Sequence, residues 1–174
     1  MASLKQRYRG KWRQGNRRET AALCLLSNLL PPGYKAVLTG LGAGSSEYLE
    51  SSYTDAYTAF DITVFHNSAP VAWIDVTGME TPSRKCRGWC VGSWKLVKGK
   101  SLGVLDRLWF IFIDSSRMRL GFRYAPRVEA DTGNGRASIC RLYRDEDPVI
   151  CMPPRSWADY SAFKRWLLAR RGVT

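Results

Sequence analysis

The chain has 174 residues, a length that holds one domain with a proper core. Hydrophobic residues make up 45% of it, including 7 tryptophans, which excludes a disordered chain. With 27 Lys and Arg against 15 Asp and Glu, the formal net charge is +12, which favours a polyanionic partner, nucleic acid ahead of a membrane surface. A basic enzyme of another kind or a ribosome-associated protein has the same bulk charge. No apolar run reaches the ~18 residues of a membrane span. The N-terminal MASLKQRYRGKWRQGNRR lacks a hydrophobic segment, so neither a signal peptide nor a membrane partner is expected. Five cysteines, at 24, 86, 90, 140 and 151, are odd in number and scattered; they argue against a disulfide framework and for a cytoplasmic protein. Cys86 and Cys90 have CxxxC spacing, but His66 is the sole histidine, so structural zinc is disfavoured.

Residues 1–18 read as a basic arm interleaved with Tyr8 and Trp12, either a phosphate-contacting segment or a solvated tail. Asn16 then opens a helix that ends before Pro31-Pro32. Asn16 and Glu19 have capping-box spacing, which is reason enough for Glu19. Glu19 also heads a stripe with Leu23, Leu26 and Leu30, where a carboxylate needs something positive beside it. Capping and metal binding both fit. Residues 34–39 read as a strand, followed by LGAGSSEYLESSYTDAYTA, a long Gly/Ser/Tyr loop. Its glycines let amides approach phosphate, but the GK[ST] ending of a P-loop is missing.

FDITVFHNSAPVAWIDVT, residues 60–77, reads as two strands joined by Asn67-Ser68-Ala69. Apolar residues at 60, 62, 64, 72, 74 and 76 mark one face; Asp61, Thr63, Asp75 and Thr77 mark the other. A three-residue connection pairs 66 with 70, and counting back sets Asp61 opposite Asp75. Facing residues lie about 5 Å apart, and like charges there destabilise a sheet unless a cation sits between them. The alternative is two aspartates at solvated strand ends, and a slip of one residue would send one of them to the other face.

Beyond a basic turn, a helix is expected from Ser93 towards Asp106, weakened by Gly99 and Gly103. LWFIFI at 108–113 reads as a strand buried on both faces. Further strands are expected at 118–123, 137–144 and 149–152, with a loop at 127–135 and a final helix at about 156–171. Trp157, Tyr160, Phe163 and Leu167 line one side of that helix, which reads as a packing helix with a basic outer face. These elements suggest an α/β sandwich around a mixed sheet, in a single domain with its core at about 16–113 and an elaboration at about 117–174.

The order of a helical glutamate, a Gly-Ser loop, Asp61, and Asp75 at the end of VAWIDVT resembles the PD-(D/E)XK nuclease superfamily. More narrowly, it resembles the archaeal Holliday-junction resolvases, over about residues 9–113. RQGNRRETAALCLL resembles their opening basic segment and acid-bearing helix, and CVGSWKLVKGK their approach to the second helix. The resemblance implies a restriction-endonuclease-like three-layer fold, a homodimer and branched double-stranded DNA as partner, with no small-molecule substrate. It implies that Asp61, Asp75, Glu19 and the Val76 carbonyl hold Mg²⁺ or Mn²⁺, and that Ser45 or Ser46 belongs to the reacting loop. The family's lysine, two residues past the second acid, is here Thr77, which supplies no cation. In some members that lysine has moved to the following helix; Lys95 is the candidate, ahead of Lys98 and Lys85. The catalytic set is then Glu19, Asp61, Asp75, Lys95 and Ser45. Arg9, Lys11, Arg13, Arg17, Arg18, Ser46, Lys85, Arg87, Lys98 and Lys100 are expected to grip DNA. Three other readings stand beside this one. They are a sequence-specific or nicking nuclease on the same fold, a non-catalytic DNA-binding scaffold, and an RNA-processing or ribosome-associated protein.

Overall fold

The structure, a computed structural model, describes residues 4–40, 55–79, 86–141 and 147–170, with the backbone alone for 4–12. It divides into two compact units, Met1–Val76 and Thr77–Thr174.

In the first unit, helix α1 (Leu4–Leu29) packs on strand β1 (Tyr34–Leu38). The helix starts well before Asn16, which lies inside it and whose carbonyl accepts from the Thr20 hydroxyl at 2.9 Å. The capping box expected at Asn16 and Glu19 is therefore not a helix start. The Lys-, Arg- and Gln-rich segment ahead of it consists of good helix formers and carries the helix through Gly10 and Gly15, at about 1 kcal/mol each. Pro31 ends it as expected. A short helix α2 (Ala56–Ala59), capped by Asp55 accepting from the Thr58 N–H, occupies the end of the expected loop.

Strands β2 (Ile62–His66) and β3 (Ala69–Met79) form the central hairpin. Its apolar face is buried as expected: Phe60, Ile62, Val64, Ala72, Ile74 and Val76. Each large side chain there contributes about 1.5–3 kcal/mol. The other face is also covered. Thr63, Trp73 and Asp75 are buried, and Tyr57 of α2 packs against Phe65 and Trp73.

The turn holds two residues rather than three: Asn67 and Ser68, both at positive φ (48° and 66°), pair His66 with Ala69. Continued unbroken, that ladder would set Asp75 across from Phe60, on the apolar side. A bulge intervenes, with Phe65 pairing Pro70 but Val64 pairing Ala72, so Val71 is the extra residue. Beyond it Ile62 faces Ile74, with Asp61 the residue just ahead of Ile62 and Asp75 the residue just past Ile74.

In the second unit, β5 (Leu108–Asp114) and β6 (Arg119–Tyr124) form an antiparallel hairpin flanked by α4 (Ala125–Gly133) and α5 (Tyr160–Ala169). Strand β3 is common to both units. Its end at Met79 accepts from Ser115, just past the end of β5. The two strands therefore run in the same direction, and the sheet β1-β2-β3-β5-β6 is mixed. The chain is thus α/β, a mixed five-stranded sheet flanked by helices, as the sequence suggests.

Helix α4 replaces the loop expected at 127–135. Pro126 stands in its first turn, where its missing N–H costs nothing, and Val128 is buried beneath it. The helix expected from Ser93 stops sooner (α3, Ser93–Ser101), because Gly103 takes φ +66°. A second sheet, β4-β8-β7, joins Trp89–Gly92, Val149–Met152 and Ser138–Cys140. Contrary to the expectation from cysteine number, it carries two disulfides, Cys86–Cys140 and Cys90–Cys151. Their partners lie 54 and 61 residues apart, beyond any local spacing pattern, and Cys24 alone is free. These bonds remove the cysteine argument for a reducing compartment. Among the described residues no helix is long and apolar enough to cross a membrane.

Candidate active site

The hairpin β2–β3 carries two sequence-predicted acids, Asp61 immediately ahead of β2 and Asp75 within β3. Asp75 is 2% exposed. Asp61, half-buried, precedes β2, and its Oδ2 accepts from the backbone N–H of Val76 at 2.6 Å. That bond ties one aspartate to the residue next to the other. It also fixes the Asp61 carboxylate, since a charged acceptor on a backbone N–H makes one of the stronger hydrogen bonds.

The Asp61 backbone is held from its other side. Its carbonyl accepts from the N–H groups of Thr39 and Gly40, at 3.1 and 3.2 Å. Gly40 is needed there: a Cβ on it would lie 2.8 Å from the Asp61 Cα. The same face carries a hydroxyl pair, Thr39 and Thr63, with Oγ1 atoms 2.6 Å apart. Thr63 was placed on this face by the alternation of the strand. Thr39 and Gly40 were not singled out, because nothing local marks a residue whose role is to touch another strand.

The remaining predicted residues are distributed as follows. Glu19 is half-buried on α1, with its Oε1 leaning back over Gly15, one turn earlier. Among the described residues no three His, Cys, Asp or Glu side chains form a group able to hold a metal ion. Asp61 and Asp75 are connected through the chain at Val76, whose N–H donates to the Asp61 carboxylate. The donors at that point, two carboxylates and the Val76 carbonyl, are all hard oxygens. They fit Mg²⁺, which takes one or two carboxylates and keeps waters. A carboxylate as buried as Asp75 is costly unless charge or hydrogen bonds compensate it.

Ser45, Ser46 and Lys85 lie outside the described residues, as do the side chains of Arg9 and Lys11. Arg13 and Arg17 are exposed on α1 and Arg18 is half-buried. Lys95 belongs to the second unit, where it and Lys98 flank the half-exposed Trp94 ring at 5.3 and 4.7 Å. Lys100 pairs with Glu129 of α4, and Arg87 is exposed.

The second unit contains an acid that the sequence reading passed over. Asp114, fully buried at the end of β5, accepts from Ser116 Oγ (2.6 Å), Arg117 Nη1 (3.2 Å) and Trp89 Nε1 (3.3 Å). Burial pushes its pKa up, but these bonds and the Arg117 charge outweigh it, leaving the carboxyl below its ordinary value. The available signal was a charged residue ending an otherwise apolar strand.

No protein-family model matches the chain, and no curated protein matches it. Among solved structures it is similar to D212, described as a nuclease from a fusselovirus. The TM-score is 0.58 at 15% identity, covering 96% of this chain and 94% of that one. At this identity the likeness is one of fold.

Proposed function

We propose that the chain is a metal-dependent, structure-specific DNA endonuclease of the resolvase type, cutting branched duplexes as a homodimer. The observation that carries the reading is the Asp61 carboxylate anchored on the N–H of Val76, the residue next to the buried Asp75. The fold it shares with the D212 nuclease and the net charge of +12 support it.

Asp61, Asp75 and the Val76 carbonyl would hold the cation. When bound, Mg²⁺ or Mn²⁺ supplies Lewis acidity, making water a better nucleophile at neutral pH and offsetting charge on the phosphate. Glu19 is assigned to orienting the attacking water, Ser45 to the reacting loop, and Lys95 to countering charge on the scissile phosphate. The basic residues of α1 and of the segment around Arg87 and Lys98 hold the DNA backbone, so binding weakens steeply with salt.

Labelled four-way, flapped and linear DNA, incubated with and without Mg²⁺, tests the proposal. Wild type is expected to cut the four-way junction only with the metal. Asp75→Asn should lower the rate about 100-fold or more while junction binding persists. Retained cutting in Asp75→Asn would overturn the assignment. Loss with Asp75→Asn but not with Lys95→Ala would keep the nuclease and discard that lysine. Thr77, which offers no cation two residues past Asp75, favours a second reading, a DNA-binding scaffold without hydrolysis. That reading requires tight junction binding and no cutting in either metal.

A further inference from the structure

We propose that a cavity in the second unit, walled by Arg87, Arg117 and Arg119, is a phosphate-binding site separate from the aspartate pair. The cavity measures about 320 Å³. Trp89 and Asp114, both buried, line it with the three arginines.

The charge balance favours an anion. Asp114 is already engaged by Ser116, Trp89 and Arg117. Arg117 spends one nitrogen on it and is half-exposed, so the rest of its guanidinium fork remains available. Among the described residues Arg87 and Arg119 make no ion pair. Arg119 lies over the Trp89 ring, 5.7 Å from its centre, a contact that positions the guanidinium without neutralising it. Three guanidinium groups against one carboxylate leave about two positive charges around one space. Planar guanidinium forks lining one space suit the several oxygens of a phosphate better than a single carboxylate.

The wall is also preset. Arg87 and Gly88 sit between Cys86 and Cys90, which are tied to Cys140 of β7 and Cys151 of β8. Gly88 takes φ +110°, and a Cβ on it would overlap the Met152 carbonyl. A site fixed before its ligand arrives loses less freedom on binding. Arg87 and Gly88 also line a second cavity of about 340 Å³ with Arg136, extending the basic surface.

For the source of the phosphate, this inference rests on the nucleic-acid reading above, but binding and cutting are measured apart. In EDTA, inorganic phosphate is titrated calorimetrically into wild type, Arg87→Gln, Arg119→Gln, the double variant, and Arg165→Gln on α5 as a charge-matched control. Oligonucleotides bearing 5′-phosphate or 5′-hydroxyl are then bound with and without phosphate as competitor. We expect one saturable phosphate site in wild type, weakened about tenfold by each cavity substitution and unchanged in the control. Tighter binding of the 5′-phosphorylated strand assigns the site to a terminal monoester. Equal binding of both strands, competed by phosphate, assigns it to the backbone diester. No saturable site, equal losses in the control, or stronger competition by an acidic peptide than by phosphate would overturn the inference. Phosphate binding in a protein that cuts nothing would sink the nuclease reading and leave this one standing. Both substituted arginines are exposed, so the variants should melt close to wild type; should the double variant not fold, the single ones decide.

Discussion

At the scale of single residues, the two buried carboxylates play different parts. Asp75 belongs to the proposed reaction, whereas Asp114 holds its strand end in place through three donors. Its lowered pKa has a definite sign in the pH dependence of stability. A carboxyl that ionises more readily folded than unfolded adds stability above its ordinary pKa of 3.8, and that stability is lost as pH falls through the folded value. Asp114→Asn should therefore cost about 2 kcal/mol at pH 7 and flatten the acid limb of a melting-temperature profile below about pH 4. Equal acid slopes in variant and wild type would show that the ionised form of Asp114 contributes nothing.

At the scale of elements, the β2–β3 hairpin decides whether the site exists. A two-residue turn alone would send Asp75 to the apolar side, and Val71 corrects the parity. The sequence reading reached the same Ile62–Ile74 register through a three-residue turn without a bulge, two departures that cancel. Ser68 occupies a left-handed position where glycine is preferred in such turns. Ser68→Gly should raise stability by about 0.5–1 kcal/mol, measured by thermal melting, with the register and cleavage unchanged. What was legible follows from patterns confined to one segment. The alternation in 60–66 and 70–77 gave the buried apolar face of the hairpin, the run LWFIFI gave β5, and Pro31 gave the end of α1. The rest depended on contacts between segments or on ambiguous punctuation. Asn16 and Glu19 imitate a helix start within a helix, and Pro126 reads as a loop marker although it stands in a helix's first turn. Gly40 and Thr39 matter only through Asp61 and Thr63. The Gly/Ser stretch with Ser45 and Ser46 lies outside the described residues, and the two serines are assignments from resemblance.

At the scale of the molecule, the two units are stabilised by different means. The described part of the first holds no disulfide and relies on the hairpin core. The second adds two cross-links over long, overlapping loops. Closing one loop of that length removes unfolded-state freedom corresponding to about 4 kcal/mol, and overlap makes the two less than additive. Reduction should thus lower the melting temperature. It should also speed amide exchange in β4, β7 and β8 while leaving β2 and β3 protected, which hydrogen exchange read by mass spectrometry resolves; uniform loss of protection would refute the division. The cross-links have a consequence for a severed chain as well. Arg141 is exposed and lies between Cys140 and Cys151. Were trypsin to cut after it, the C-terminal fragment carrying α5 would stay tethered to the larger one through Cys90–Cys151, so the nicked protein would migrate as one species until a thiol reagent let the fragments part.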